Sequence, residues 1–186
     1  MPKNQGKKGK DFEAQFKKSC DNQGICAIRL IDSNKFGKHD SSRFTPCNVA
    51  DFICYDGNIL VLAELKSTKG TSISFNQPCD KVAKGTFMIK PKQVLSLMKH
   101  KDFKKVVPLL ILDFRDRLNM RGEVMYGGTY AIPIDVFVGW SNCIDKKSIN
   151  QHDAESIGIK IDKRLKKVNY EYDIQKLFDD LQSNAI

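Results

Sequence analysis

The sequence predicts a single α/β domain in which a central mixed β-sheet is flanked by helices. Its 186 residues suit one domain, and its 41% hydrophobic and 28% charged residues are ordinary for a globular chain. Segments with helical spacing alternate along the chain with short apolar runs of strand length. No internal repeat or linker divides the chain, so we expect residues 11–186 to form one unit behind a flexible basic arm at residues 1–10.

The first part of the chain predicts one helix followed by three strands. Phe12, Phe16 and Cys20 recur at four-residue spacing, and Gly24 ends the predicted helix. The run ICAIRLI, at residues 25–31, has the length of a strand. Two further β-rich runs flank the sequence DGN, which is a hairpin signal.

The later part of the chain predicts two helices and further strands. The segment IKPKQVLSLMKH predicts a helix of about three turns, because Pro91 is tolerated in a first turn and the apolar residues share a face. KVVPLLILDF, residues 105–114, predicts a buried strand. We interpret residues 124–140 as β-type sequence, and ESIGIKI as an alternating pattern. The last predicted helix carries the apolar stripe Ile174, Leu177, Phe178 and Leu181.

Charge and composition narrow the classes of function. Lysine plus arginine number 31 against 22 acidic residues, and the net charge of +9 favours nucleic acid as a partner over a merely solvated basic surface. No apolar run approaches the ~20 residues of a membrane span, and the basic N-terminus lacks the apolar region of a secretory signal. The six cysteines show no zinc-ligand spacing, so we expect reduced thiols. We therefore expect a cytoplasmic protein without a membrane partner.

A polar, basic segment at residues 32–48 predicts a projecting loop. Seventeen residues without apolar periodicity are too many for a tight turn and are typical of a functional loop, with disorder as the alternative. Its basic residues are candidates for contact with DNA phosphates. The full set of predicted DNA-binding residues is Lys7, Lys8, Lys10, Lys35, Lys38, Arg43, Lys69, Arg115 and Arg117.

Asp51, Glu64 and Lys66 are charged residues in otherwise apolar sequence. Glu64 and Lys66 are two positions apart, so on a strand they share a face. If Gly57 and Asn58 form a two-residue loop, Asp51 pairs with Glu64, whereas a loop one residue earlier would move that pairing by two positions. We favour the first register because it gives the three polar side chains a joint purpose.

Two opposed carboxylates predict a site for a divalent cation. Cβ atoms of opposed strand residues lie about 4.5–5.5 Å apart, a distance at which two carboxylates repel each other. Mg²⁺ prefers oxygen ligands and commonly uses one or two carboxylates, and Mn²⁺ is expected to substitute for it. Lys66 could then stabilise an attacking hydroxide, as in a phosphodiester hydrolase. The alternative is an ordinary ion pair between Glu64 and Lys66, because E-x-K alone occurs by chance.

These residues resemble the PD-(D/E)xK nucleases, in which an Asp precedes an E-x-K strand motif. More closely, the order of a GKDFE helix start, a basic excursion, an Asp on a strand, ELKSTKGTS and a helix carrying Gln resembles the RecU-type Holliday junction resolvases, including versions carried by bacteriophages. The resemblance covers roughly residues 9–114. It implies a restriction-endonuclease-like fold and a magnesium-dependent endonuclease that resolves four-way DNA junctions by paired symmetric nicks.

The resemblance also implies roles for particular residues. Asp51 and Glu64 would be metal ligands, the Leu65 carbonyl would complete the metal shell, and Lys66 would serve the nucleophilic water. Two alternatives in function stay open: another DNA nuclease of the same superfamily, acting on ends or in restriction, and a non-catalytic DNA-binding protein with a structural acidic pair.

Two further residues match polar residues of the family. Gln93 matches the family's helical glutamine, with an ordinary residue on the helix surface as the alternative, and Gln77 is a rival assignment. Glu13 matches an acidic residue on the first helix that can bind a metal-bound water, or is a solvated carboxylate near a helix N-terminus.

The resemblance further implies a homodimer, since a four-way junction has two equivalent strands to cut. The loop at residues 32–48 would be the stalk that enters the junction. Candidate dimer surfaces are residues 124–140, with Trp140, and the apolar stripe of the last helix; the alternative for both is ordinary core.

Overall fold

The chain contains a mixed six-stranded sheet with helices on both faces. This structure, a computed structural model, describes residues 5–31, 48–76 and 87–183, and of residues 5–8 it describes the backbone alone. The elements in the described residues are α1 (Gln5–Asn22), β1 (Cys26–Arg29), β2 (Phe52–Tyr55), β3 (Leu60–Thr68), β4 (Ser72–Ser74), α2 (Pro91–Met98), β5 (Val106–Phe114), β6 (Arg117–Leu118), β7 (Val124–Met125), β8 (Thr129–Pro133), α3 (Ile134–Asn142), β9 (Ser148–Asn150), α4 (Gln151–Ile157), β10 (Ile159–Ile161), β11 (Lys163–Lys166), β12 (Asn169–Tyr172) and α5 (Ile174–Ser183).

The strand order of the sheet is β1-β2-β3-β5-β8-β10. Strands β1, β2 and β3 form an antiparallel meander, and β5 then pairs with β3 in parallel. The remaining pairs, β5 with β8 and β8 with β10, are antiparallel. The predicted α/β class with a mixed central sheet flanked by helices is therefore confirmed.

Two apolar clusters form the core, one on each face of the sheet. On one face, the stripe of α1 packs with α5 against alternate residues of β3, and Phe16 contacts Phe52 at 5.5 Å between ring centroids. On the other face, α2, α3 and α4 pack against Leu62 and its neighbours. The α5 stripe, Ile174, Leu177, Phe178 and Leu181, is buried in the first cluster, so it belongs to the core of the chain and is not a free dimer surface.

Several boundaries differ from the prediction. Helix α1 begins at Gln5, so residues 5–10, predicted as part of a flexible arm, are helical. Lysine is a good helix former. Because packing of Phe12 and Phe16 already holds the helix, adding residues at its N-terminus costs little free energy. Helix α2 has eight residues, about two turns rather than three. Gly158 separates α4 from β10 in the segment predicted to alternate.

The interpretation of residues 124–140 as β-type sequence was wrong over its second half. Only Val124–Met125 and Thr129–Pro133 are strands, and Ile134–Asn142 forms α3. Pro133 occupies the N-cap and Asp135 lies in the first turn, where a carboxylate favours a helix. Trp140 packs against the core through Phe75, with 5.8 Å between ring centroids.

The described cysteines, Cys20, Cys26, Cys54 and Cys143, are free thiols, as predicted. None of the helices in the described ranges combines the length and the apolarity needed to cross a lipid bilayer.

Candidate active site

The β2–β3 hairpin sets Asp51 level with Glu64, and the predicted register is confirmed. Phe52 pairs with Ala63 and Ile53 pairs with Leu62, so the next position brings Asp51 opposite Glu64. The Asp51 N–H donates to the Ala63 carbonyl at 3.1 Å, and Asp51 Oδ2 accepts the Leu65 N–H at 2.8 Å. Asp51 is therefore bonded to the residues on both sides of Glu64.

Glu64 and Lys66 point to the α2 face of the sheet. The intervening Leu65 and the preceding Ala63 are buried in the α1 cluster, and successive strand side chains alternate between faces. Glu64 is only 3% exposed, and its Oε1 accepts hydrogen bonds from Lys66 Nζ and from the amide of Gln93. Lys66 and Gln93, both predicted from the sequence, thus meet at the Glu64 carboxylate.

The pKa of Glu64 is raised to about 7. Burial is the largest cause, because it disfavours the charged carboxylate; the Lys66 ammonium lowers the pKa and the nearby Asp51 carboxylate raises it. The Lys66 ammonium therefore does not fully offset the effect of burial on the Glu64 carboxylate.

Helix α2 brings Gln93 to Glu64. Lys90 occupies the N-cap and Pro91 the first turn, which starts the helix beside the end of β3. Gln93 Oε1 accepts the Lys90 N–H at 3.0 Å, while its Nε2 donates to Glu64. The side-chain amide is therefore held at both ends. The rival assignment, Gln77, lies outside the described residues.

Glu13 is not brought into this cluster. Its carboxylate forms an ion pair with Arg29. Arg29 shares a strand face with Ala27, which is buried in the α1 cluster, so this pair lies on the sheet face opposite Glu64 and Lys66.

The potential metal ligands are two carboxylates and one backbone oxygen. Among the described ranges, no group of three or more His, Cys, Asp or Glu side chains is arranged to hold a metal ion. The Leu65 N–H points towards Asp51. In a strand, the N–H and C=O of one residue point to the same side, so the Leu65 carbonyl also lies on the Asp51 side.

The predicted DNA-binding residues are described only in part. Lys10 and Lys69 are exposed, and Arg115 and Arg117 are half-buried. The Arg115 N–H donates to the Thr68 carbonyl at 2.9 Å, which joins the end of β5 to the end of β3. The other candidates fall outside the described side chains; they are Lys7, Lys8, Lys35, Lys38 and Arg43.

A buried polar cluster around Asp113 was missed by the sequence reasoning. Asp113 is 2% exposed and accepts bonds from Ser67 Oγ at 2.9 Å, Thr129 Oγ1 at 2.8 Å and Lys163 Nζ at 3.0 Å. Ser67 directly follows Lys66, so the cluster fixes the end of β3 from the other face. The signal available was a carboxylate at the end of the apolar run KVVPLLILDF.

The β11–β12 hairpin was also missed. Strand β10 ends at Ile161, which pairs with Thr129. Thr129 pairs with Asp113, and Asp113 pairs with Ser67, the residue after Lys66. The hairpin therefore follows at the same end of the sheet as Lys66. Residues 160–167 contain five basic residues, which was a visible signal of a polyanion contact. Two of them, Arg164 and Lys166, pair with Glu171.

Comparison with known proteins finds a relative in sequence and similar solved structures. No protein-family model matches the chain. The chain is 28% identical over 185 residues to the SPbeta prophage-derived uncharacterized protein YotM of Bacillus subtilis (strain 168), with 93% of this chain and 86% of YotM covered. Among solved structures it is similar to Hjc, a Holliday junction resolvase of the archaeal hyperthermophile Archaeoglobus fulgidus, with a TM-score of 0.49, 14% identity, and 82% of this chain and 95% of Hjc covered.

Proposed function

We propose that this protein is a metal-dependent DNA endonuclease of the PD-(D/E)xK type that resolves four-way junctions. The observation that carries the proposal is the convergence of Asp51, Lys66 and Gln93 on the buried carboxylate of Glu64. The elements also follow the order of the resolvase resemblance: a first helix, an Asp at a strand, an E-x-K strand and a helix carrying Gln. The mixed six-stranded sheet is consistent with the restriction-endonuclease-like fold that the resemblance implies.

A divalent cation fits this site chemically. Glu64 is buried beside a second carboxylate, and burial first, then the Asp51 carboxylate, raises its pKa to about 7 against the opposing effect of the Lys66 ammonium. Mg²⁺ or Mn²⁺ would be held by Asp51, Glu64 and the Leu65 carbonyl, a hard oxygen set. When bound, such an ion supplies charge stabilisation at the scissile phosphate and acidifies a bound water.

The residues around Glu64 have separate tasks in hydrolysis. The Lys66 ammonium attracts and orients the attacking water and offsets negative charge at phosphorus. Gln93 fixes the Glu64 carboxylate, and Asp51 fixes the Leu65 peptide. The water oxygen forms a bond to phosphorus while the bond from phosphorus to one sugar oxygen breaks. The attacking water loses a proton to solvent, and the leaving oxygen gains one.

The substrate in this proposal is branched DNA bound by a homodimer. The net charge of +9 favours a polyanion, and Lys69, Arg115 and Arg117 lie on segments next to the ends of β3 and β5. The loop at residues 32–48 would select the junction as a stalk. Two chains related by a two-fold axis would supply the two centres that paired nicks need. A prophage origin for the relative YotM is consistent with a phage-encoded nuclease.

Cleavage of labelled four-way, flap and linear duplex DNA in Mg²⁺, Mn²⁺ or EDTA tests the proposal. We expect cleavage of the four-way junction with either metal and none in EDTA. Glu64→Ala should abolish cleavage while metal-free DNA affinity stays close to wild type, because the basic residues remain. Glu13→Ala serves as a matched loss of a carboxylate outside the cluster and should retain cleavage.

Other outcomes would contradict parts of the proposal. Wild-type cleavage in excess EDTA would overturn the metal dependence. Preferred cleavage of flaps or ends would indicate another nuclease of the same superfamily. Binding without cleavage of any substrate would indicate a DNA-binding protein with a structural acidic pair.

A further inference from the structure

The β6–β7 hairpin carries an unusual share of the exposed apolar side chains. Of thirteen exposed large hydrophobic residues in the described ranges, five lie at positions 118–126. The Met120 side chain is fully exposed, and Tyr126 is 77% exposed. Strands β6 and β7 pair only with each other in the described sheets, so no strand covers them. Clustered apolar exposure of this kind marks an interaction surface.

The tip of this hairpin is held in one conformation. Asn119 Oδ1 accepts the N–H groups of Arg121 and Glu123, each at 2.9 Å. The Gly122 N–H donates to the Asn119 carbonyl at 3.1 Å, and its φ of 80° is a left-handed value that suits glycine. These bonds fix the turn that presents Met120 and Arg121 at its apex.

The hairpin leaves the sheet at the same end as the candidate active site. Strand β5 is parallel to β3, and Phe114 pairs with Thr68, two residues after Lys66. Adjacent strands lie about 4.8 Å apart, so β6 starts one strand away from the end of the E-x-K strand. The Gly127 N–H donates to Asp116 Oδ1 at 2.7 Å and closes the base of the hairpin.

The charges around the hairpin indicate the occupant of its surface. Arg115, Arg117 and Arg121 lie on or beside the hairpin. Of the two acidic residues there, Glu123 is bonded to Asn119 Nδ2 at 2.7 Å, and Asp116 accepts hydrogen bonds from the Gly127 N–H and the Tyr170 hydroxyl. The Nε of Arg115 is buried and has no partner among the described residues. Two copies of this surface facing each other would oppose arginine to arginine, which is unfavourable. A polyanion with apolar faces, namely a nucleic acid with accessible bases, complements it.

We propose that Met120, at the hairpin tip, inserts between bases at the branch point of a DNA junction, while Arg117 and Arg121 contact the flanking phosphates. Apolar side chains, methionine among them, act as wedges between base steps in other DNA-binding proteins. Stacking is already interrupted at a branch, so insertion there disrupts less base stacking than insertion into a continuous duplex. The inference rests on the proposed binding of branched DNA and adds to the 32–48 loop a second contact with the branch.

The test measures binding in EDTA, so it does not depend on cleavage. A fluorescent adenine analogue, brighter when unstacked, is placed either at the branch or within one arm of a four-way junction. Wild-type protein should brighten the probe at the branch and leave the arm probe unchanged. Met120→Ala should abolish the branch signal and weaken junction binding roughly tenfold, the order expected when one methionine side chain is no longer buried, with about the same affinity for linear duplex.

Two control variants separate the wedge from general effects. Met120→Leu keeps an apolar wedge and should retain the branch signal. Val168→Ala removes another highly exposed apolar side chain, on the connection between β11 and β12, and should behave as wild type. An undiminished branch signal in Met120→Ala, or equal weakening on junction and linear DNA, would overturn the proposal. So would a change in oligomeric state caused by Met120→Ala, which would assign the surface to a second copy. A nuclease-negative result in Mg²⁺ would leave the wedge result unaffected.

Discussion

The buried carboxylate of Glu64 leads to a quantitative prediction about pH and stability. In the metal-free protein its pKa is raised from 4.5 to about 7, chiefly by burial. The folded protein then binds this proton more tightly than the unfolded chain does. The contribution to stability is therefore fully present below the unfolded pKa and is lost as the pH rises through about 7. At about 1.4 kcal/mol per pKa unit, the loss from about pH 5 to about pH 8 is roughly 2–3 kcal/mol.

The assay compares wild type with Glu64→Gln by urea and thermal unfolding in EDTA. The variant lacks the titrating group, so wild type should lose roughly 2–3 kcal/mol relative to it between about pH 5 and about pH 8. That difference corresponds to about 5–10 °C in Tm for a chain of this size. Adding Mg²⁺ at the higher pH should restore stability to wild type and have little effect on the variant.

A control with the opposite sign of shift makes this test specific. Hydrogen bonds from Lys166 and Arg164 hold the pKa of Glu171 at about 2. Its contribution is present above the unfolded pKa and is lost only in acid, so Glu171→Gln should keep the wild-type pH dependence between about pH 5 and about pH 8. Parallel pH profiles for wild type and Glu64→Gln would refute the reasoning about the buried carboxylate.

Three further predictions concern stability, DNA binding and assembly. Asp113→Ala leaves the partly buried Lys163 ammonium without its carboxylate partner and should destabilise the fold by about 3–5 kcal/mol in denaturant unfolding; a change near zero would contradict the cluster's structural role. The logarithm of DNA affinity should fall with the logarithm of salt, with a slope of about −0.9 per phosphate neutralised, and an affinity unmoved by salt would exclude phosphate contacts. Light scattering should give twice the chain mass of 21.1 kDa, and a monomer that still makes paired nicks would contradict the dimer. Deleting Lys35 to Arg43 should weaken junction binding more than duplex binding.

Local patterns were sufficient to predict much of the sheet. The hairpin register followed from the DGN turn and from the expectation that the polar side chains of an apolar hairpin lie together on one face. Strand β5 and helices α1 and α5 followed from apolar runs and periodicity. Helix α3 did not, because its residues are β-type by composition, and packing beneath α2 and α4 overrides that preference.

The candidate active site also contains residues that local patterns could place and residues that they could not. Asp51, Glu64 and Lys66 meet through a local hairpin, which short-range pairing can specify. Gln93 reaches them from a helix 29 positions away, so the family resemblance, and not the spacing, indicated its place. Helical periodicity could not say which face of the sheet Glu13 would occupy. The contact of Asp113 with Lys163 spans 50 positions and depends on the whole strand order.

The location of the metal ion is the most direct test of the proposed active centre. Fe²⁺ substituted for Mg²⁺, with ascorbate and peroxide, generates radicals at the bound ion that cut the polypeptide nearby, and mass spectrometry locates the cuts. The proposed centre predicts cuts beside Asp51 and Glu64 that disappear in excess Mg²⁺ and in Glu64→Gln. Cuts concentrated elsewhere, for example around Asp113, or cuts unchanged in Glu64→Gln, would contradict it.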